Sequence, residues 1–189
     1  PCKLRAASSK PCKLRIVHFN DVYVLDNLAA LKTAIDLERQ SCPHNFVVTM
    51  GGDFLGPSLL SSLDEGAGMV DMLSLLGVDY VCFGNHESDV TYEALCARIE
   101  QFQLSDGIWL NSNMPGFVPF LPEHHVRELL DANGELCGRS VAFVAYLIGG
   151  GRFASLYRPG SFGGADASIL PVSDCHEDVV HRVRASNPG

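Results

Sequence analysis

The sequence predicts an α/β fold in which helices flank a parallel sheet. Three times along the chain, a short β-branched or aromatic run is followed by polar residues and then by apolar residues at helical spacing. Strands that alternate with helices in this way pair in parallel, because each helix returns the chain to the same end of the sheet. The chain has 189 residues, 47% of them hydrophobic, which is enough to form the core of one ordinary domain.

The first strand–helix unit begins close to the N-terminus. The run Leu14–Phe19 predicts a buried strand. Asn27 is the predicted N-cap of the following helix, which continues to Arg39 and is stopped by Pro43. The apolar residues at helical spacing in this helix are Leu28, Leu31, Ala34, Ile35 and Leu37.

The second and third units repeat this order. Phe46–Thr49 predicts the second strand, and the apolar stripe Met69–Leu76 predicts a helix that ends at Gly77. Tyr80–Phe83 predicts the third strand, and Thr91 is the predicted cap of the next helix. Three such units define a sheet with all its carboxyl ends at one edge.

The later part of the chain predicts one more strand and then an antiparallel pair. Ile108–Leu110 has the composition of a strand. Val126–Leu130 and Ser140–Ile148 are predicted to form an antiparallel pair through Asp131–Gly134, because an Asn-Gly step favours a tight hairpin turn. A glycine-rich loop is expected over residues 149–164 and an amphipathic helix over 173–184.

Polar side chains that suit a metal ion follow each of the first three strands. They lie in the segments Asn20–Tyr23, Gly51–Asp53 and Gly84–Asp89. Ligands of open parallel sheets lie beyond the carboxyl ends of the strands, so these segments are expected to meet. Carboxylate, amide and imidazole groups suit a hard or borderline divalent cation. The spacing therefore predicts a metal site at this edge.

Composition excludes several classes of partner. The formal charge of −8 disfavours binding to nucleic acid, because an acidic surface repels the phosphate backbone. No run of apolar residues is long enough for a membrane span. Seven cysteines without a CxxC pair predict neither a complete disulfide set nor a zinc ribbon. Free cysteines lean towards a cytoplasmic location, although the compartment stays open.

Three segments of the chain resemble the calcineurin-like metallophosphoesterase superfamily, specifically its 5′-nucleotidase branch. The resemblance covers roughly Leu14–Asp174. It implies a sandwich of mixed β-sheets flanked by helices and incomplete at the C-terminus. Residues 1–13 are then a flexible leader, and residues 14–189 are the N-terminal part of the metallophosphoesterase domain. The three segments are Ile16–Tyr23 (IVHFNDVY), Gly52–Ser58 (GDFLGPS) and Gly84–Asp89 (GNHESD).

The resemblance also implies a site for two divalent metal ions, which are zinc, manganese, magnesium or iron. In that site Asp21 holds one metal, Asp53 bridges both, and Asn85 holds the second. His86 lies beside the substrate phosphate, and Asp89 orients its imidazole. A metal-activated water then removes phosphate from a nucleotide or another phosphoester.

The chain departs from the family pattern in three places. Tyr23 stands where the broader family has a histidine ligand, and it is retained here as a candidate metal ligand. Ser88 stands where an aromatic residue is more usual. The family completes its site with a histidine and a GHxH-like motif, which are expected beyond Gly189.

Two alternative functions stay open from the sequence. A protein phosphatase is disfavoured, because Asp53 is followed by Phe54–Pro57 rather than the VDRG sequence of those enzymes. The second alternative is a catalytically incomplete domain that acts as a structural or assembly subunit, with a protein partner covering its unfinished sheet edge. Outside the metal site, Ser58 is predicted to cap a helix, and surface positions are predicted for His124, His125, His176 and His181.

Overall fold

Four strands pair side by side in parallel, in the order β1-β2-β3-β4. This arrangement is seen in a computed structural model that describes residues 12–187. The strands are β1 (Arg15–Phe19), β2 (Phe46–Met50), β3 (Tyr80–Cys82) and β4 (Ile108–Leu110). The helices are α1 (Leu28–Ser41), α2 (Ser61–Asp64), α3 (Ala67–Leu76), α4 (Tyr92–Gln103) and α5 (Val172–Ser186). The predicted α/β fold with a parallel sheet is confirmed.

A separate two-stranded antiparallel sheet completes the described fold. It consists of β5 (His124–Leu130) and β6 (Leu136–Val144). The predicted hairpin exists, but β6 begins and ends four residues earlier than the sequence indicated. It ends there because the amide N–H of Ala145 turns away to donate to Ser112 Oγ, at 2.8 Å. Tertiary hydrogen bonding therefore sets this boundary.

The helices cover one face of the parallel sheet and form the main core. Trp109 on β4 is completely buried, and its ring lies 5.3–5.4 Å from those of Phe54 and Phe83. On the opposite face the hairpin supplies Phe143, whose ring stacks on Tyr80 with centroids 4.4 Å apart. The parallel sheet is thus packed between helices and hairpin.

The predicted apolar stripes of α1 and α3 are partly wrong. Leu28 and Ile35 are buried, but Leu37 and Leu75 are exposed. Leu37 follows Ile35 by two residues, which is about 200° around a helix, so it faces solvent. Asn27 precedes α1 as predicted but makes no cap hydrogen bond through its side chain. The predicted cap at the start of α4 is confirmed, since Thr91 Oγ1 accepts from the amide of Ala94 at 3.2 Å.

Several other expectations differ in detail. Within the predicted loop over residues 149–164, residues 151–156 form a short 3₁₀-helix. Helix α5 buries Val179, whereas Val180 and Val183 are only partly covered. Residues 1–11 of the predicted leader lie outside the described residues, and the carbonyl of Lys13 accepts a 2.9 Å hydrogen bond from Asn45 Nδ2. No helix among residues 12–187 is both long enough and apolar enough to cross a bilayer.

The surface positions predicted for two of the histidines are wrong. His125 is half-buried, and its Nδ1 lies 2.6 Å from the hydroxyl of Tyr80. His124 is also half-buried, and its Nδ1 is buried without a hydrogen-bond partner among the described residues. Both side chains come from β5, which packs its histidines towards the protein. His176 and His181 on α5 are exposed, as predicted.

Asn113 joins three separate stretches of backbone just after β4. Its side chain donates to the carbonyls of Leu147 and Leu170, at 2.6 and 2.7 Å, and accepts from the amide of Leu147 at 2.8 Å. Asn113 is buried, so no water replaces these partners if they are lost. The segments that follow β6 and precede α5 are therefore fixed to the end of β4.

Replacing Asn113 with alanine should destabilise the fold. Asn113→Ala leaves two carbonyls and one amide without their partner, so we expect the free energy of unfolding to fall by about 2–4 kcal/mol. Urea unfolding followed by circular dichroism measures this change. Asn27→Ala serves as the control, because that exposed side chain makes no cap hydrogen bond. Equal losses in the two variants would contradict the role of Asn113.

His125 should make the fold less stable at mildly acidic pH. Burial, followed by the charges of Arg127 and His124, lowers the pKa of His125 from its ordinary value of 6.5. The unfolded chain therefore binds more protons than the folded chain as the pH falls through 6.5, so stability decreases until the lower folded pKa is reached. We expect His125→Gln to lose less stability between pH 7.5 and 5.5 than the parent. The two losses should differ by about 1.4 kcal/mol for each unit by which the folded pKa lies below the unfolded pKa. Urea unfolding at both pH values measures the two losses of stability. His176→Gln is the control, because His176 is exposed. The same pH dependence in His125→Gln and in the parent would contradict the role of His125.

Candidate active site

The three polar segments predicted from the sequence meet at the carboxyl edge of the parallel sheet. The amide of Asp21 donates to the carbonyl of Gly52, and the amide of Val22 donates to the carbonyl of Asp53, at 3.3 and 3.1 Å. A Cβ atom on Gly52 would lie only 2.3 Å from the amide nitrogen of Gly84. The loops after β1, β2 and β3 are therefore in direct backbone contact.

Both aspartates predicted as metal ligands have an unusual backbone conformation. Asp21 has φ of 55° and Asp53 has φ of 62°, in the left-handed region that side chains other than glycine rarely occupy. Such conformations cost of the order of 1 kcal/mol and persist where the surrounding structure enforces them. Their occurrence at two neighbouring strand ends is typical of a functional site.

Tyr23 lies directly beside the first of these aspartates. Its hydroxyl donates to Asp21 Oδ1 at 2.9 Å, and its ring meets that of His86 edge-on with centroids 5.7 Å apart. Burial raises the pKa of Tyr23 well above its ordinary value, and the hydrogen bond to Asp21 and the charge of Asp53 raise it further. Tyr23 is therefore a neutral phenol in the absence of a cation.

His86 and Asp89 form the predicted pair. His86 Nδ1 lies 2.7 Å from Asp89 Oδ2, because residues 86–89 form a 3₁₀-helix in which positions three apart lie above one another. Partial burial lowers the pKa of His86, but the hydrogen bond and charge of Asp89, with smaller effects of Asp53 and Glu87, raise it above the ordinary value overall. The backbone amide of His86 also donates to Asp53 Oδ1 at 2.7 Å. Asp89 thus orients the imidazole of His86, and the backbone amide of His86 holds the residue next to Asp53.

Asn85 offers an oxygen ligand from the same turn. Its side-chain amide makes no hydrogen bond with any residue in the range 12–187, while its backbone carbonyl accepts from the amide and hydroxyl of Ser88 at 3.1 and 2.7 Å. Ser88, which stands where an aromatic residue was expected, is buried and stabilises the turn through these hydrogen bonds. The Asn85 side chain is free to bind a ligand.

Glu87 is the residue that the sequence reasoning missed. It is completely buried, and its carboxylate accepts hydrogen bonds from the backbone amides of Asp53, Phe54, Leu55 and Gly84. Burial raises its pKa, and the four amides oppose that rise. The available signal was an acidic residue placed between two predicted site residues, but nothing in the spacing indicated that it points into the protein.

The donor set fits an oxygen-preferring cation only in part. Asp21, Asp53 and Asn85 offer carboxylate and amide oxygens, which suit magnesium or manganese well and zinc less well, whereas the neutral phenol of Tyr23 is a weak ligand. Within residues 12–187 no cluster of three or more His, Cys, Asp or Glu side chains is spaced to hold a metal ion. The described residues therefore offer candidate oxygen ligands but no complete ligand set.

Two neighbouring segments complete the surroundings of the site. In the glycine-rich segment, the amide of Arg158 approaches Ser88 Oγ at 3.4 Å, and burial followed by the charge of Asp53 raises the pKa of Tyr157 to about 12. On the other side, Ser58 Oγ accepts from the amide of Ser61 at 2.9 Å, at the start of α2. Ser58 is therefore a helix-capping residue, as predicted.

Comparison with known proteins agrees with this geometry. The profile of the calcineurin-like phosphoesterase family matches residues 14–146. Over 77 residues, or 40% of this chain, the sequence is 34% identical to the trifunctional nucleotide phosphoesterase protein YfkN of Bacillus subtilis (strain 168). That stretch corresponds to 5% of the YfkN protein.

Solved structures share the fold at low sequence identity. The calcineurin-like phosphoesterase YfkN from Bacillus subtilis superposes with a TM-score of 0.65 at 15% identity, covering 92% of this chain and 59% of that chain. A 5′-nucleotidase precursor from Thermus thermophilus gives a TM-score of 0.67 at 16% identity, covering 92% and 35%. Sulfate thiohydrolase SoxB from Thermus thermophilus gives 0.62 at 21% identity, covering 83% and 27%.

The extent of these matches shows the family of this chain but not the activity of the whole protein. The chain spans less than two thirds of the length of each of these relatives. The family profile, in contrast, covers more than half of this chain. The chain therefore belongs to the calcineurin-like phosphoesterase family.

Proposed function

We propose that this chain carries part of the catalytic site of a metal-dependent phosphoester hydrolase of the 5′-nucleotidase type. The observation that carries the proposal is the contact between the His86–Asp89 pair and Asp53 at the edge where three loops meet. The names of YfkN and of the Thermus thermophilus structure, a nucleotide phosphoesterase and a 5′-nucleotidase, support a nucleotide as the substrate.

In this proposal Asp21, Asp53, Asn85 and Tyr23 would hold the divalent cations. The cations, when bound, polarise the phosphoryl group and supply a water that is deprotonated near neutral pH. Asp21 and Asp53 contribute carboxylates, which favour the binding of cations. Without a bound cation the same carboxylates repel an anionic substrate. Binding of the phosphoester therefore depends on prior loading of the site.

His86 is the proposed general acid. Asp89 accepts the Nδ1 hydrogen, which directs Nε2 away from the carboxylate and fixes the orientation of the ring. The hydrogen bond and charge of Asp89 outweigh burial and raise the pKa of His86, which favours the protonated imidazole that a general acid requires. From there His86 stabilises the charge on the phosphoryl oxygens or protonates the leaving oxygen.

The alternative role as a structural or assembly subunit is not favoured. A histidine that is oriented by a carboxylate next to a candidate metal ligand favours catalysis over a purely structural role. A partner over the sheet edge has no support among the described residues. Neither YfkN, named a nucleotide phosphoesterase, nor the 5′-nucleotidase precursor from Thermus thermophilus is named as a protein phosphatase.

Two substitutions separate metal binding from proton transfer. Asp53→Asn should lose both bound metal and activity, because it removes the bridging negative charge. His86→Asn should lower turnover about 100-fold while metal content stays nearly intact, because it removes only the acid. Elemental analysis and phosphate release from AMP and p-nitrophenyl phosphate in the presence of manganese measure both effects.

The same assay tests the proposed function itself. Metal-dependent phosphate release by the complete protein is the expected result, and its absence with every divalent cation tried would overturn the proposal. Equal metal retention in Asp53→Asn and His86→Asn would instead contradict the roles assigned to the two residues.

Tyr23 can be tested as a metal ligand. If the phenol oxygen binds the cation, Tyr23→Phe should weaken manganese binding about tenfold, whereas Tyr23→His should retain it, because imidazole is a metal ligand as well. Isothermal titration calorimetry measures both affinities, and thermal unfolding controls for loss of the hydrogen bond to Asp21. Parent-like affinity in Tyr23→Phe would show that Tyr23 only orients Asp21.

A further inference from the structure

We propose that Glu87 is a positioning residue: its carboxylate fastens the Asp53 loop to the Gly84 turn and thereby sets the geometry of metal binding. The proposal deepens the proposed function and rests on it. Glu87 has no exposed surface, because it lies behind the residues that would bind the cation and the substrate. It therefore cannot contact either of them. Its effect is transmitted through the backbone of two loops.

Both oxygens of the Glu87 carboxylate are fully used. Oε1 accepts from the amides of Phe54 and Leu55, at 2.9 and 3.2 Å, and Oε2 accepts from those of Asp53 and Gly84, the first at 2.8 Å. Three of these donors are consecutive in the loop after β2, and the fourth is in the turn after β3. One side chain therefore joins two loops that lie more than thirty residues apart in the sequence.

The negative charge of Glu87 is balanced by backbone alone. It makes no ion pair with a lysine, arginine or histidine in the part of the chain that the structure describes. A buried carboxylate is costly unless it is well hydrogen-bonded, and two amide donors for each oxygen satisfy that need. A neutral side chain of the same size cannot accept all four hydrogen bonds, because only one of its two terminal atoms is an acceptor.

The loop that Glu87 fastens is the one that carries Asp53. The amide of Asp53 donates to Glu87, its carbonyl accepts from Val22, and its Oδ1 accepts from the amide of His86. With φ of 62°, Asp53 has a conformation that needs support from its surroundings. Loss of the first of these bonds lets the loop relax and moves the carboxylate relative to Asn85 and His86.

A purely structural role is the competing explanation, and Asp79 provides the matched control. Asp79 Oδ2 accepts the amide of Val48 at 2.8 Å, and Oδ1 pairs with Arg127 at 3.2 Å, so this carboxylate also supports the core backbone. It precedes β3 and therefore lies at the opposite edge of the sheet from the loop of Asp53. Asp79→Asn should lower stability without affecting the metal site.

The test compares Glu87→Gln with Asp79→Asn. We expect Glu87→Gln to bind manganese about 10- to 100-fold more weakly than the parent, as is usual when the support of a metal ligand is lost. Asp79→Asn should bind manganese with parental affinity even where its loss of stability is similar. Calorimetry gives the affinities and urea unfolding gives the stabilities. Parental manganese affinity in Glu87→Gln would overturn the proposal.

A second readout does not depend on metal or activity. Amide hydrogen exchange, followed by NMR, should become faster in Glu87→Gln at Asp53, Phe54, Leu55 and Gly84 and stay unchanged at Val48. If the parent protein binds none of the divalent cations tried, the proposed function fails, and this exchange pattern alone decides whether Glu87 fastens the two loops. Unchanged exchange at all four amides would overturn that role.

A third variant keeps the test decisive if glutamine prevents folding. Glu87→Asp retains the negative charge but shortens the side chain by one methylene, so it should reach fewer of the four amides. We expect weaker manganese binding and faster exchange at the amides it no longer reaches. Parental values for both quantities would overturn the proposal.

Discussion

The hydrogen bonds between the Glu87 carboxylate and four backbone amides are the interaction on which the candidate site depends. Each unsatisfied buried amide costs about 1–3 kcal/mol, so the four together represent a large part of the stability of an ordinary domain. Because the donors belong to two loops, neither loop has its observed conformation without the other. Together with the hydrogen bonds from Tyr23 to Asp21 and from the His86 amide to Asp53, this arrangement positions the candidate ligands.

The parallel sheet explains why such an arrangement is available. Its strands end at one edge, so the loops after β1, β2 and β3 leave the sheet side by side with their amides only partly used by the ladder. Carboxylates are the natural partners for these amides, and the chain places them there from several loops. At this edge Asp53 and Asp89 both contact His86, and the carboxylate of Glu87 accepts the amide of Asp53. Carboxylates gathered in this way favour cations over anions.

The parts of the structure that follow from local patterns were predictable from the sequence. The alternation of strands and helices, the polar strand ends and the His86–Asp89 pair depend on spacing over a few residues, and all three are present. Features set by distant contacts were not predictable. Glu87 is buried because two remote loops surround it, β6 ends where Ser112 offers a hydrogen bond, and His125 faces inward because Tyr80 lies opposite. The roles of the metal ligands themselves stay predictions.

The contact between Gly52 and Gly84 restricts how this site can change during evolution. A side chain at Gly52 would collide with the backbone of Gly84, and one at Gly84 would lie 2.3 Å from Asp53 Oδ1. Backbone atoms take part in both collisions, because a Cβ at Gly84 would also lie 2.6 Å from the amide nitrogen of Asp53, so no change of a neighbouring side chain relieves either one. Divergent relatives that retain the geometry are therefore expected to keep both glycines, whereas one metal-binding side chain can be exchanged for another. In distant homologues this glycine pair is a better marker of an intact site than any one metal ligand.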